Sequence, residues 1–156
     1  SGAMAESGSV AVFCPTSNLF LGSGLFDMAR LRGAGVRVAV ATDIGGGTSY
    51  SMLATMAETY KLQMLNGYKP SVAELYYLST QGNADRLKLG SEIGSLEVGK
   101  FADVIVLDPE ATPVLKSRQE VSKAIEDVLF SLMMLGDDRA VAATYVAGQR
   151  VHARMN

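Results

Sequence analysis

The chain has 156 residues, 48% of them hydrophobic and 19% charged, with a formal net charge of −2. That composition suits one domain with a real core, or a large piece of a bigger one, and excludes a disordered chain. The 14 Lys and Arg residues are scattered along the chain, which argues against nucleic acid as a partner, and no apolar run approaches the ~20 residues of a membrane helix.

In chain order, Ser1-Gly2-Ala3-Met4 reads as an expression scar, with Met4 or Ala5 opening the natural segment. Ser9 to Phe13 (SVAVF) is a short apolar run that suits a strand buried on both faces of a parallel sheet, and Pro15 breaks it. Gly22 to Gly24 is a flexible bend. Leu25 to Leu31 places Leu25, Met28, Ala29 and Leu31 on one side of a short helix, ended by Gly33 and Gly35. Val36 to Ala41 (VRVAVA) is the second buried strand, and the three elements make a βαβ unit.

Thr42 to Ser49 is a turn feeding a long helix over about residues 50–66, where Met52, Leu53, Met56, Tyr60 and Met64 recur at helical spacing as core packing. Gly67 caps it. Another helix follows from Ser71 to about Gln81, with Ser71 as N-cap and Glu74 completing a capping box. Ile93 to Lys100 is turn-rich, and Ala102 to Leu107 (ADVIVL) is a strand ended by Asp108-Pro109. The polar stretch to about Glu120 reads as a loop, Val121 to Leu135 as a helix, and Ala140–Val146 with Gln149–Ala153 as a hairpin turning at Ala147-Gly148. The resulting division is an α/β portion over residues 5–90 and a smaller β portion over residues 91–156.

Asp43 is the strongest candidate for chemistry. It ends a buried apolar strand, where parallel sheets and barrels place ligands, and a carboxylate there needs a metal, a cation or helix N–H groups. Capping the next helix is the bland alternative. The Gly45-Gly46-Gly47 run matches neither a P-loop nor the dinucleotide spacing, so the glycines read as close backbone passage in preference to a phosphate cradle. Ser17 and Asn18 follow the first strand, on the same rim as Asp43, and could orient a polar substrate or satisfy turn backbone. Cys14 is the single cysteine and reads as a buried structural thiol, with no internal disulfide possible and no hint of export. His152 is the single histidine and reads as a solvent-facing strand residue. One His, one Cys and some carboxylates do not make a His-rich metal site, which normally takes three or more protein ligands.

The segments CPTSNLFLGSG (residues 14–24), VAVATDIGGGTSYSML (38–53), IGSLEVGKFADVIVLD (93–108) and YVAGQRV (145–151) appear in order. Together they resemble the closing part of the amidohydrolase superfamily, and within it the guanine deaminase family. The resemblance implies an α/β fold: the last two β/α units of a TIM barrel plus the C-terminal segment of a small β-sandwich domain. It implies a cytoplasmic, metal-dependent hydrolase of purine catabolism that deaminates guanine to xanthine and ammonia. Zinc or iron would sit at the barrel rim, and Asp43, matching the eighth-strand Asp, would be both metal ligand and catalytic proton acceptor. Ser17 and Asn18 would border the substrate.

The family's His-x-His pair, its other histidines and its Glu have no match in this chain. The expectation is therefore a C-terminal fragment, inactive and without metal when alone, whose partner is the missing N-terminal part of the barrel. Open strand edges would favour a homo-oligomer. The alternatives are a self-associating or partner-binding α/β module, and a deaminase of another purine or related heterocycle.

Overall fold

The computed structural model describes residues 2–155. Residues Gly2–Glu6 form a short helix, α1, with no buried residue. Three of the four residues read as a scar are thus helical, as an exposed turn ahead of the first strand.

β1 (Val10–Phe13) and β2 (Arg37–Val40) pair in parallel, Val10 opposite Arg37 and Phe13 opposite Val40. β2 is buried from Val38 to Val40, as expected for a strand covered on both faces. β1 is not: Phe13 is fully buried but Val12 is half exposed, because no layer of the described residues covers its outward face. Between the strands lie α2 (Pro15–Leu21) and α3 (Met28–Gly33). Pro15 does not merely break the strand. It opens α2 from a first-turn position, where a missing N–H costs nothing, and Gly22 closes that helix in the left-handed region at φ 67°. α3 starts at Met28, later than Leu25, because the Asp27 carboxylate caps it by accepting the Arg30 N–H at 2.9 Å.

α4 (Met52–Leu65) begins where Ser51 Oγ accepts the Ala54 N–H. Its buried face carries Leu53 and Met56 but also Thr55, Thr59 and Gln63, while Met64 is exposed, so the methionine stripe is only partly core. The two threonine hydroxyls donate to carbonyls one turn back. Gln63 donates to the Phe26 carbonyl at 2.7 Å and accepts the Met28 N–H at 3.1 Å, tying α4 to the start of α3.

The helix expected from Ser71 to Gln81 is two helices, α5 (Val72–Ser79) and α6 (Gln81–Arg86), divided at Thr80 (φ −132°, ψ −108°). Ser71 Oγ caps α5 through the Glu74 N–H, but the capping box is half made. The Glu74 carboxylate instead accepts from Tyr68 Oη at 2.8 Å and pairs with Arg32 on α3, since a charged tertiary partner outcompetes a neutral local N–H.

β3 (Val104–Leu107), β4 (Val141–Val146) and β5 (Gln149–Ala153) form an antiparallel sheet in that order. The hairpin turns at Ala147 and Gly148, both at positive φ, as a two-residue hairpin loop requires. The stretch read as a loop contains α7 (Pro113–Gln119), capped by Thr112 and anchored by the fully buried Leu115. Polar residues masked it, because a single apolar anchor carries no periodicity. α8 (Ile125–Leu135) starts later than Val121, after the Asp127 carboxylate accepts the Lys123 and Ala124 N–H groups.

Phe13, Met28, Val38, Val40, Leu62 and Leu78 form one apolar cluster; Leu53, Met56, Leu75 and Met133 form a second. Leu107 packs against both this second cluster and a third built on Leu115, Leu132 and Ala140, so β3 joins the helices to the three-stranded sheet.

Candidate functional site

Beyond β2, Ala41 still pairs with β1, its N–H donating to the Phe13 carbonyl at 3.0 Å. The chain then leaves the ladder and Asp43 turns it through the left-handed region at φ 51°. Few non-glycine residues adopt that conformation, and they cluster at sites where geometry matters more than local strain. Asp43 is exposed at the end of the sheet. Its carbonyl accepts the N–H groups of Gly46 and Gly47, which closes the glycine run into a tight turn directly beneath it.

The glycines are packed, not merely flexible. A Cβ on Gly47 would strike the Thr42 carbonyl and stand 2.8 Å from Thr16 Oγ1. A Cβ on Gly46 would lie 3.0 Å from Ser17 Oγ and 3.1 Å from Asp43 Oδ2. Ser17 and Asp43, chosen from sequence, are therefore neighbours across this turn. Asn18 sits on the same short helix, partly buried, with its N–H bonded to the Cys14 carbonyl.

Cys14 also belongs to this rim. Burial pushes its thiol above the ordinary range, and the Asp43 carboxylate adds to the shift. It is a partly covered thiol and not a core residue. His152 lies exposed on β5 opposite Thr144, away from this cluster.

Sequence reasoning passed over Thr16. It is buried, and its hydroxyl reaches the Thr42 carbonyl at 3.4 Å, holding the residue before Asp43. An open groove of about 420 Å³ runs beside the turn, lined by Thr16, Leu19, Phe20, Thr48, Ser49 and Glu58. Nothing in the residue types of α2 announced that groove, because α2 itself was not expected.

These residues do not by themselves fit a catalytic metal. Among the described residues no three His, Cys, Asp or Glu side chains converge on a common point. What the rim offers is one carboxylate, one neighbouring hydroxyl and a backbone turn that fixes both.

The Amidohydrolase family pattern matches residues 3–151. The chain belongs to the amidohydrolase family. Guanine deaminase of Escherichia coli (strain K12) is 46% identical to this amidohydrolase chain over 151 residues, 97% of it. The chain spans 34% of the length of that relative. The solved E. coli guanine deaminase superposes with a TM-score of 0.95 at 45% identity, over 98% of this chain and 35% of the other. Guanine deaminase from C. acetobutylicum, solved with guanine bound in its active site, superposes with a TM-score of 0.82 at 25% identity, over 94% and 35%. An adenosine deaminase from Xanthomonas campestris, with zinc bound, gives 0.76 at 28%, over 94% and 33%. The α/β fold of the amidohydrolase chain is thus that of part of these larger structures. Among the described residues, no helix is long and apolar enough to cross a membrane.

Proposed function

We propose that this chain is the C-terminal portion of a guanine deaminase, which converts guanine and water to xanthine and ammonia. In this reading β1 and β2 are the last two strands of a TIM barrel, residues 5–90 complete that barrel, and residues 91–156 belong to a small β-sandwich domain. The observation that carries it is Asp43, held at positive φ at the end of a parallel strand, inside a stretch that superposes on E. coli guanine deaminase throughout.

Asp43 accepts a proton from the attacking water and returns it as the C–N bond breaks, so that ammonia leaves. Ser17 and Asn18 border the purine, with Ser17 beside the carboxylate across Gly46. In the complete cytoplasmic enzyme, zinc or iron would take Asp43 as one ligand and the others from outside this chain, and would supply the acidity that activates the attacking water. The chain alone is inactive and needs the rest of the barrel as partner.

The test is an assay of the complete protein and of this chain with guanine, following xanthine and ammonia. Turnover by the complete protein, its loss in Asp43→Asn, and none from the chain alone are expected. Robust turnover by the chain alone would refute its inactivity, and an active Asp43→Asn would refute the role of Asp43. The likeness to an adenosine deaminase favours assaying adenine-type purines beside guanine. A second reading, self-association of the chain, draws on Phe20 and Leu21, which are 70% and 61% exposed beside the groove. A clean monomer by light scattering at high concentration would exclude it.

A further inference from the structure

β2 has two edges, and β1 uses one. Ala41 donates to Phe13 on that side, so the alternation of a strand turns Val38 and Val40 toward the other. Among the described residues no strand lies there; α6 does. Asn83 makes a two-point pair with Val40, its Oδ1 accepting the Val40 N–H at 3.3 Å and its Nδ2 donating to the Val40 carbonyl at 2.7 Å. Three residues on, the Arg86 guanidinium donates to the Val38 carbonyl from Nε and to the Gly82 carbonyl, at 2.8 Å, from Nη1. Side chains thus supply both bonds at Val40, and the carbonyl bond at Val38, that a neighbouring strand would make.

α6 is held firmly enough to do this. Gly82 lies so close to Tyr77 that a Cβ would come 2.7 Å from its ring, and the Arg86 guanidinium sits 5.7 Å from the centre of that ring. From the far side Gly94, at φ 96°, presses on the helix, its Cβ position 2.6 Å from that of Ala84.

Val40 precedes Asp43 by three residues, and Thr42 between them is held by Thr16. We propose that Asn83 is a positioning residue for Asp43: by gripping both backbone groups of Val40, it fixes where β2 ends and so the direction in which Asp43 leaves the sheet. This rests on the assignment of Asp43 as the proton acceptor.

The experiment uses the complete protein with Asn83→Ala, Asn83→Asp and Asp43→Asn, and with Thr112→Ala, which removes the cap of α7, as a destabilised control. Asn83→Ala should lower kcat about a hundredfold with KM little changed, the cost of misplacing a reacting group by about 1 Å. It should also shift the acidic limb of the pH–kcat profile and speed amide exchange at Val40. Asn83→Asp keeps the acceptor and loses the donor, so it should fall between, and it is read alone if Asn83→Ala does not fold. Thr112→Ala should leave kcat and the acidic limb in place. If both Asn83 variants keep the parent kcat and pH profile while Asp43→Asn is dead, the positioning role is wrong. If Asp43→Asn turns over normally, the assignment beneath it is wrong instead.

Discussion

Ser17 Oγ and the Asp43 carboxylate both crowd the space above Gly46, 3.0 and 3.1 Å from where a Cβ would stand. The adjacent Gly47 is tighter still, since its Cβ would meet the Thr42 carbonyl, which cannot swing away. Gly47→Ala is therefore expected to cost about 1–3 kcal/mol by overpacking. Gly46→Ala should cost less, because two side chains can yield, but it should push Ser17 and Asp43 apart. Urea unfolding of this chain ranks the two stabilities, and guanine turnover by the complete protein reports the displacement.

Asp43 sits at φ 51°, where Asp is tolerated, Gly is free and a β-branched side chain is not. Asp43→Gly should unfold at or above the parent midpoint, and Asp43→Val should lose about 1–2 kcal/mol. Both should abolish turnover of the complete protein. Thermal melts of the two variants separate the backbone role of the residue from its carboxylate; equal melting points would contradict the conformational argument.

The Cys14 thiol is raised first by burial and then by the Asp43 carboxylate. A raised pKa means less thiolate at neutral pH, so alkylation should be slow there and accelerate only in alkali. Removing the negative charge with Asp43→Asn should lower the thiol pKa and speed alkylation at pH ~8. Rate–pH curves with iodoacetamide measure both, and identical curves would show that the two groups are not neighbours in solution.

Burial pushes Tyr76 up to about 12 from an ordinary 10.0, and its hydroxyl donates to the Leu129 carbonyl at 3.1 Å. The folded pKa lies above the unfolded one, so the unfolded chain loses its proton first as pH rises. Stability associated with this group is intact below pH 10.0 and is lost as pH climbs toward about 12. Urea midpoints across that window should fall, and Tyr76→Phe should flatten the slope while starting from a lower stability.

The terminal hairpin, β2, the helix over Met52–Leu65 and the nearness of Asp43 to Ser17 were legible from residue order alone. Each rests on a signal that neighbours in sequence create: apolar runs, alternation, a cap, a glycine turn, or a motif shared with relatives. What the folded chain decided depends on partners far apart in sequence. Glu74 abandons its own helix end for Arg32, 42 residues away, because a cation there offers a stronger bond than a local N–H. Val12 is half exposed while Val40 is buried, although both sit in similar apolar runs, because helices pack on β2 and, among the described residues, nothing covers that side of β1. The edge of β2 is closed by Asn83 and Arg86, whose reach across more than forty residues leaves no trace in periodicity.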